Sequence, residues 1–358
     1  MDYWRDRAEE LSQYMDVLED EYNEQLRYYY EQSARELASR VKAYYKRYGL
    51  KHGMSPDEVK SRLNKGLKSF DDERYLYYSE VSRLGITDEY YGYLRELSGR
   101  GYVAREKEMF LQLWAEINKL RGRQTKLLAT SLSDVYRHSY YFSVYSMQTK
   151  LGFGVSFNKL NTGLIEKMLK APWIGNNYSD RIWKDKFLLT QSLQQEMMRG
   201  IINGDNPKVV GHRLAKSLDS NKYNAERLAR TEMNYFLNDA RCDALKSQGA
   251  EGYIYDATLD MKTCDDCAGL DGKRFSWAEK QVGVNYPPLH PNTRSTVIPD
   301  VNLSDEATRI ARGLNGKTYF VPHDMDYKTW YTTHVNKDYE KQYYRRKRAA
   351  KAKKYYEP

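Results

Sequence analysis

The chain has 358 residues, room for about two domains of ordinary size. Hydrophobic residues make up 41% and charged residues 30%, and no apolar run approaches the roughly 20 residues that cross a bilayer, so a membrane span is not expected. The first residues lack a basic start followed by an apolar block, which predicts a soluble chain made in a cytoplasm with no secretory signal.

The net charge of +9 is unevenly spread. From Lys337 to the end there are nine Lys or Arg and three Asp or Glu, a net of +6, which leaves +3 for the other 336 residues. Only three cysteines occur, Cys242, Cys264 and Cys267. An odd count with one tight pair argues against a secreted disulfide framework, and C-x-x-C in a reducing compartment points to metal or redox chemistry.

Residues 2 to about 48 alternate charged with apolar or Tyr residues at helical spacing, without Pro or Gly, and predict a helix or helical pair. Ser55-Pro56-Asp57-Glu58 is a helix start, with Ser as N-cap and Pro at the first position. Helical texture continues through Gln148, with breaks near Gly85 and Gly99. Paired tyrosines such as Tyr28-Tyr29-Tyr30, Tyr77-Tyr78, Tyr90-Tyr91 and Tyr140-Tyr141 predict helix packing rather than base stacking.

Leu151-Gly152-Phe153-Gly154 and Ala171-Pro172-Trp173-Ile174-Gly175 change the texture and predict a linker. Asp180 to Gly200 is expected as a helix ended by its glycine, and Asn206-Pro207 starts another. Over Asn224 to Gln248 one face carries Ala225, Leu228, Ala229, Met233, Tyr235, Phe236 and Ala240, with Glu232 in its middle and Asp239 and Asp243 near it. A core-facing carboxylate needs a partner. Glu232 is read as bridging to an Arg of the following module or as a site carboxylate or second-shell metal partner. Gly249 stops this helix. Tyr253 to Thr258 predicts a strand, Thr263 to Cys267 a knuckle, Asp271-Gly272 a hairpin turn, Pro287-Pro288 an extended corner, and Ser295 to Ile298 a second strand. The expected fold class is mainly α with a small α+β C-terminal module: long N-terminal helices, then a helical region, then a short β-hairpin knuckle.

Several motifs occur in a specific order. Arg230-Thr231-Glu232 comes first, then Thr258-Leu259-Asp260-x-Lys262-Thr263-Cys264-x-x-Cys267. Leu270-Asp271-Gly272-x-x-Phe275 follows, and Tyr286-Pro287-Pro288-Leu289-His290-Pro291-Asn292-Thr293-Arg294-Ser295 closes the set. In this order they resemble the bacteriophage head-morphogenesis family of minor capsid proteins similar to phage Mu protein F. Trp173-Ile174-Gly175, Arg181-Ile182-Trp183 and Tyr327-x-x-Trp330 extend the resemblance to roughly residues 170–332, and residues 1–150 show none. The resemblance marks Arg230, Glu232, Asp260, Asp271, Gly272, Pro288 and Arg294 as motif residues. Together with the changes of texture and charge along the chain, it divides the sequence into a Tyr-rich helical arm over 1–150, a linker over 151–178, the module over 179–335 and a basic tail over 336–358 expected to be disordered.

The family usually carries Cys where this chain has Thr293, and often where it has Ser295. Cys264, Cys267 and His290 therefore offer three zinc ligands, with Asp256, Asp260 or a residue from elsewhere as a fourth only by guess. A structural zinc, a metal-free knuckle and a three-ligand catalytic zinc all remain open. No G-x-x-x-x-G-K-[ST], G-x-S-x-G, G-x-G-x-x-G or H-E-x-x-H motif is present.

In the tail, Arg345, Arg346, Lys347, Arg348, Lys351, Lys353 and Lys354 are interleaved with tyrosines, as in a phosphate-contacting arm. The resemblance implies a structural, non-enzymatic protein inside the virion head, assembled in the host cytoplasm without a membrane. Its implied partners are the phage portal protein, capsid or scaffolding protein, and double-stranded DNA bound without sequence preference. The competing expectation is a zinc-assisted nucleic-acid hydrolase or another nucleic-acid-processing enzyme.

Overall fold

The computed structural model describes residues 2–64, 101–152, 154–157, 159–184, 186–257, 263–300, 310–312 and 318–320. Its helices are α1 (Asp2–Arg47), α2 (Pro56–Asn64), α3 (Gly101–Leu151), α4 (Thr162–Lys170), α5 (Tyr178–Trp183), α6 (Lys186–Ile202), α7 (Pro207–Ser247) and α8 (Asp265–Leu270). Strands β1 (Gly252–Asp256), β2 (Arg274–Ser276) and β3 (Thr296–Asp300) form an antiparallel sheet in the order β2-β1-β3. Strands β4 (Ile310–Arg312) and β5 (Thr318–Phe320) pair separately. The protein is mainly α with a small β module, as the sequence predicts. No helix among the described residues is long and apolar enough to cross a membrane.

Two compact units divide the chain. The first takes residues 1–23, 128–177 and everything from 226 onward. Within it, Trp4 and Ala8 of α1, Met147 of α3, Leu245 of α7, Ile254 of β1 and Ile298 of β3 share one buried cluster. On α1 the buried residues Trp4, Ala8, Leu11, Met15, Leu18 and Tyr22 recur at alternating steps of four and three, the stripe that makes one face of a helix apolar. Glu19 sits beside that stripe at 4% exposure and is matched by Arg230 of α7, whose Nε lies 2.8 and 3.0 Å from the two carboxylate oxygens. On the opposite side of α7, the Tyr136 hydroxyl of α3 donates to Asp243 at 2.6 Å.

The second unit takes residues 24–127 and 178–225. Its helices share buried polar contacts as well as apolar ones. Arg121 of α3 donates to Asn221 of α7 at 2.9 Å and to the Tyr30 hydroxyl of α1 at 3.2 Å, and Ser33 donates to Glu116 at 2.7 Å. The start of α2 is a capping box, with Glu58 N–H donating to Ser55 Oγ and Ser55 N–H donating to the Glu58 carboxylate. At the start of α7, Lys208 N–H donates to Asn206 Oδ1 at 2.9 Å, and Pro207 opens the helix as expected.

Three expectations need correction. The helix predicted over Asp180 to Gly200 is two helices, α5 and α6, and Gly200 lies inside α6. Its missing side chain makes room for Val210, whose Cγ2 would lie 2.6 Å from a Cβ placed there. The helix predicted to start at Asn224 starts at Pro207, because no breaker separates the two stretches. Asp271-Gly272 joins α8 to β2 and is not a turn between two strands. Within the segment read as a linker, Asn161 caps α4 by accepting from Leu164 N–H at 2.8 Å.

Gly204 has φ +68°, and a Cβ there would lie 2.6 Å from the Met54 carbonyl oxygen. Gly204→Ala is therefore expected to lower stability by about 1–3 kcal/mol. Gly122, inside α3 with open space around it, should behave oppositely, with Gly122→Ala stabilising by about 0.5–1 kcal/mol. Denaturant midpoints of the two variants check the opposed signs.

Burial raises the Asp243 carboxyl above its ordinary 3.8; the Tyr136 hydroxyl opposes the shift, Asp239 adds to it, and Lys280 and Lys246 oppose it. A raised folded-state value means that ionisation disfavours the fold as pH climbs from 3.8 through that value. Asp243→Asn keeps an acceptor for Tyr136 and removes the ionisation. Its urea midpoint should gain on the parent between pH 4 and pH 8, and an equal difference at both pH values would refute this.

Candidate functional site

The second half of α7 is buried on two sides. Ala229, Met233, Phe236, Ala240 and Leu245 face apolar packing. Thr231, Asn234, Asn238 and Arg241, at steps of three, four and three, form a second stripe that is at most 8% exposed. A buried polar group costs about 1–3 kcal/mol unless it is hydrogen-bonded, so this stripe needs partners.

The segment from Tyr286 to Thr296 supplies them. Tyr286, fully buried, donates its hydroxyl to the Asn238 carbonyl at 2.6 Å. Asn292 N–H donates to Thr231 Oγ1 at 3.1 Å, and Asn234 Nδ2 donates to the Ser295 carbonyl at 3.0 Å. Thr296 Oγ1 donates to Asn238 Oδ1 at 2.9 Å and accepts from Arg241 at 3.2 Å. Burial pushes the Arg241 guanidinium down to about 10, opposed by the nearby Asp256 carboxylate.

This stitching fixes the corner that carries His290. The Pro287–Pro288 peptide is cis, and Asn292 has φ +67°. Between them, His290 N–H donates to Thr293 Oγ1 at 3.1 Å, while Thr293 returns its own N–H and hydroxyl to the His290 carbonyl at 3.2 and 2.6 Å. Thr293 is 1% exposed, a buried hydroxyl closing a turn. The imidazole Nδ1 lies 2.9 Å from the Pro291 carbonyl. In the neutral ring Nδ1 then carries the proton, and Nε2 is left as the free lone pair.

That lone pair meets the two cysteines. Cys264 is the N-cap of α8 and accepts from Cys267 N–H at 3.4 Å. Cys267, 3% exposed, receives the Tyr255 hydroxyl from β1 at 3.4 Å and a hydrogen bond from Ser295. His290 Nε2 lies 2.9 Å from Cys264 Sγ and 3.5 Å from Cys267 Sγ, and the three ligand atoms all fall within 4.8 Å of one another. The Cys267 N–H holds the Cys264 thiol below its ordinary range, with His290 adding to the shift. Burial pushes the Cys267 thiol up. The Pro291 carbonyl, with Cys264 beside it, raises His290.

The predicted trio Cys264, Cys267 and His290 is thus brought together. No fourth His, Cys, Asp or Glu joins it among the described residues. Asp256 lies near Arg241, and Asp260 falls outside the described residues, as do the tail residues Arg345 to Lys354, Tyr77-Tyr78, Tyr90-Tyr91 and Tyr327-x-x-Trp330. Cys242 is buried in an apolar cluster with Tyr253, Tyr286 and Val297.

Residues 191–298 match the family described as Phage Mu protein F like protein. This segment is similar to that family over 108 of the 358 residues. It runs from within α6 into β3 and contains the polar stripe, the corner and the whole cluster; the resemblance predicted over 170–332 is wider than the match. A search of curated proteins and a search of solved structures each gave no match. The Mu F-like assignment carries a capsid-related role in phage head morphogenesis.

In the Mu F-like segment the remaining motif residues hold the fold. Arg230 pairs with Glu19, and the fully buried Glu232 accepts from Trp173 Nε1 at 2.8 Å. The Trp173 ring stacks on Tyr235 at 4.5 Å. Asp239 pairs with Lys280 at 3.2 Å, so Glu232, Asp239 and Asp243 of α7 serve three different partners. Asp271 Oδ1 accepts from Ala257 N–H at 2.9 Å, and Gly272, at φ +73°, donates its N–H to the Tyr255 carbonyl. Pro288 is buried in the corner, and Arg294 is half-buried. Sequence reading missed Thr231, Asn234, Asn238 and Arg241 as a unit. Their three-four-three spacing was the available signal.

Removing one partner from the stripe should be costly and non-additive. Asn238→Leu is expected to destabilise by about 2–3 kcal/mol, since the Thr296 hydroxyl loses its acceptor and the Ser295 carbonyl a donor. Thr296→Val should cost about 1 kcal/mol, and the double variant should fall short of the sum by about 1 kcal/mol. Strict additivity in denaturant melts would show that the Asn238–Thr296 bond carries no coupling.

Proposed function

We propose that the chain is a minor structural component of a phage head, built into the procapsid in few copies near the portal. The observation that supports this reading most is the Mu F-like match over residues 191–298, whose described motif residues direct their polar groups into the fold. In this reading Arg230, Glu232 and Asp271 maintain a rigid module rather than perform chemistry. A hollow of about 280 Å³ between α1 and α3, lined by Glu36, Arg40, Tyr44, Arg47 and Gln112 among others, contains no cysteine or histidine.

The Tyr-rich N-terminal helices make contacts with portal, capsid or scaffolding protein, and the basic tail touches double-stranded DNA through its phosphates. Phosphate contact carries no sequence information, so DNA binding is non-specific and falls steeply with salt. The protein stays within the head or leaves with the genome.

Two measurements test this. Crosslinking mass spectrometry on procapsids is expected to join residues 1–150 to the portal; links confined to other proteins would overturn that placement. Deleting residues 337–358 is expected to weaken binding to duplex DNA and to reduce the slope of log affinity against log salt by roughly 4–6, from the seven clustered tail cations. Unchanged affinity in a gel-shift titration would sink the tail's role. Metal-dependent DNA cleavage abolished by both Cys264→Ser and His290→Ala would replace the structural reading with a hydrolase.

A further inference from the structure

We infer that Cys264, Cys267 and His290 form a binding site for one zinc-class cation, held by two thiolates and one imidazole with its fourth position open to solvent. The donor set is soft, which favours zinc over magnesium or calcium. Three ligand atoms converge within 4.8 Å of one another from two separate segments, α8 with its cap and the Pro288–Pro291 corner.

The distances suit a tetrahedral ion. With Zn–S of about 2.3 Å and Zn–N of about 2.0–2.1 Å, the sulfur–nitrogen edge of a tetrahedron is about 3.6 Å. Cys267 Sγ already stands 3.5 Å from His290 Nε2. Cys264 Sγ stands 2.9 Å away and must open by several tenths of an ångström. Cys264 is only partly buried at the start of a short helix, so its side chain has room to do so.

The surroundings are those of a prepared ligand set. Metal-bound imidazoles commonly donate their second N–H to a carbonyl, which fixes the tautomer and aims the ring. His290 has that arrangement with Pro291, so Nε2 points at the sulfurs with its lone pair free. Each sulfur also has a donor behind it, the Cys267 N–H for Cys264 and the Tyr255 hydroxyl for Cys267. These donors stabilise thiolate charge once the ion displaces the thiol protons.

The fourth position follows from what the neighbouring side chains already do. Thr293 uses its hydroxyl to close the His290 turn, and Ser295 is hydrogen-bonded to Cys267. Neither acts as a ligand. Cys264 and His290 are both partly exposed, and no further His, Cys, Asp or Glu joins them among the described residues.

The test uses the full-length chain, stripped with EDTA under a non-thiol reductant and titrated with Co(II). One equivalent is expected to bind, with the visible bands of tetrahedral cobalt and a thiolate charge-transfer band, both lost on adding Zn(II). Cys264→Ser and His290→Asn should each lose the charge-transfer signal, whereas Cys242→Ser, altering a thiol buried elsewhere, should keep it. Circular dichroism of the two ligand variants confirms that loss of signal is not loss of fold. Added imidazole should shift the visible bands through the open vertex, and Asp260→Asn should leave them unchanged. Absence of a stoichiometric cobalt spectrum, or its persistence in Cys264→Ser and His290→Asn, overturns the site. A spectrum insensitive to imidazole, or altered by Asp260→Asn, overturns the open fourth position.

Discussion

The buried polar stripe on α7 is the constraint from which the C-terminal module follows. A helix buried on two sides with a polar stripe on one of them demands fixed partners there, because each unpaired polar group would be costly. Thr231, Asn234, Asn238 and Arg241 take theirs from one returning segment, Tyr286 to Thr296. That segment is therefore held at several points along almost three turns of helix. β3 begins where the stitching ends, and its pairing with β1 from Thr296 to Asp300 inherits this register. The order of motifs along the chain thus reflects one physical unit: a helix, the hairpin-like excursion it tolerates, and the strand that closes back on it.

Local chemistry made much of this legible. Ser55 and Glu58, Asn206 and Pro207, and Gly249 at φ +84° act through neighbours a few residues away, and the sequence shows such neighbours directly. The strands near Tyr253 and Val297 announced themselves by their β-branched and aromatic content. β2 escaped because Arg274-Phe275-Ser276 is too short to show alternation, and its pairing with β1 is set by Gly272 and by the Asp271 carboxylate holding Ala257. Gly200 was misread because its reason lies in the approach of Val210, a contact that only the folded chain supplies. Asn234 and Asn238 were invisible for a related reason. Polar residues at helical spacing usually mark a wet face, and only the partner segment turns them into core.

Glu19 and Arg230 show how the compact unit departs from chain order. The first 23 residues of the chain sit in the same unit as residues 226–298 of the Mu F-like segment, and a nearly buried carboxylate on α1 answers the first residue of the Arg230-Thr231-Glu232 motif. Removing Arg230 would leave the Glu19 carboxylate uncompensated in a poorly solvated place, whereas the Arg230 side chain is 42% exposed and keeps water around it. Arg230 therefore couples the motif to α1, a relation between residues 211 positions apart that no local pattern encodes.

Thr293 and Ser295 bear on what the cluster contributes. In a small module whose shape depends on a metal, loss of a ligand removes the shape with it. Here the Thr293 hydroxyl closes the His290 turn, and the Ser295 carbonyl is gripped by Asn234. The corner is also anchored to α7 through Thr231. His290 is thus placed by hydrogen bonds independent of the two cysteines. A cation at Cys264, Cys267 and His290 would tie α8 to an already ordered corner, stabilising the fold in proportion to its occupancy rather than creating it. The stripe on α7 keeps the corner in place, and Cys264, Cys267 and His290 meet on that frame.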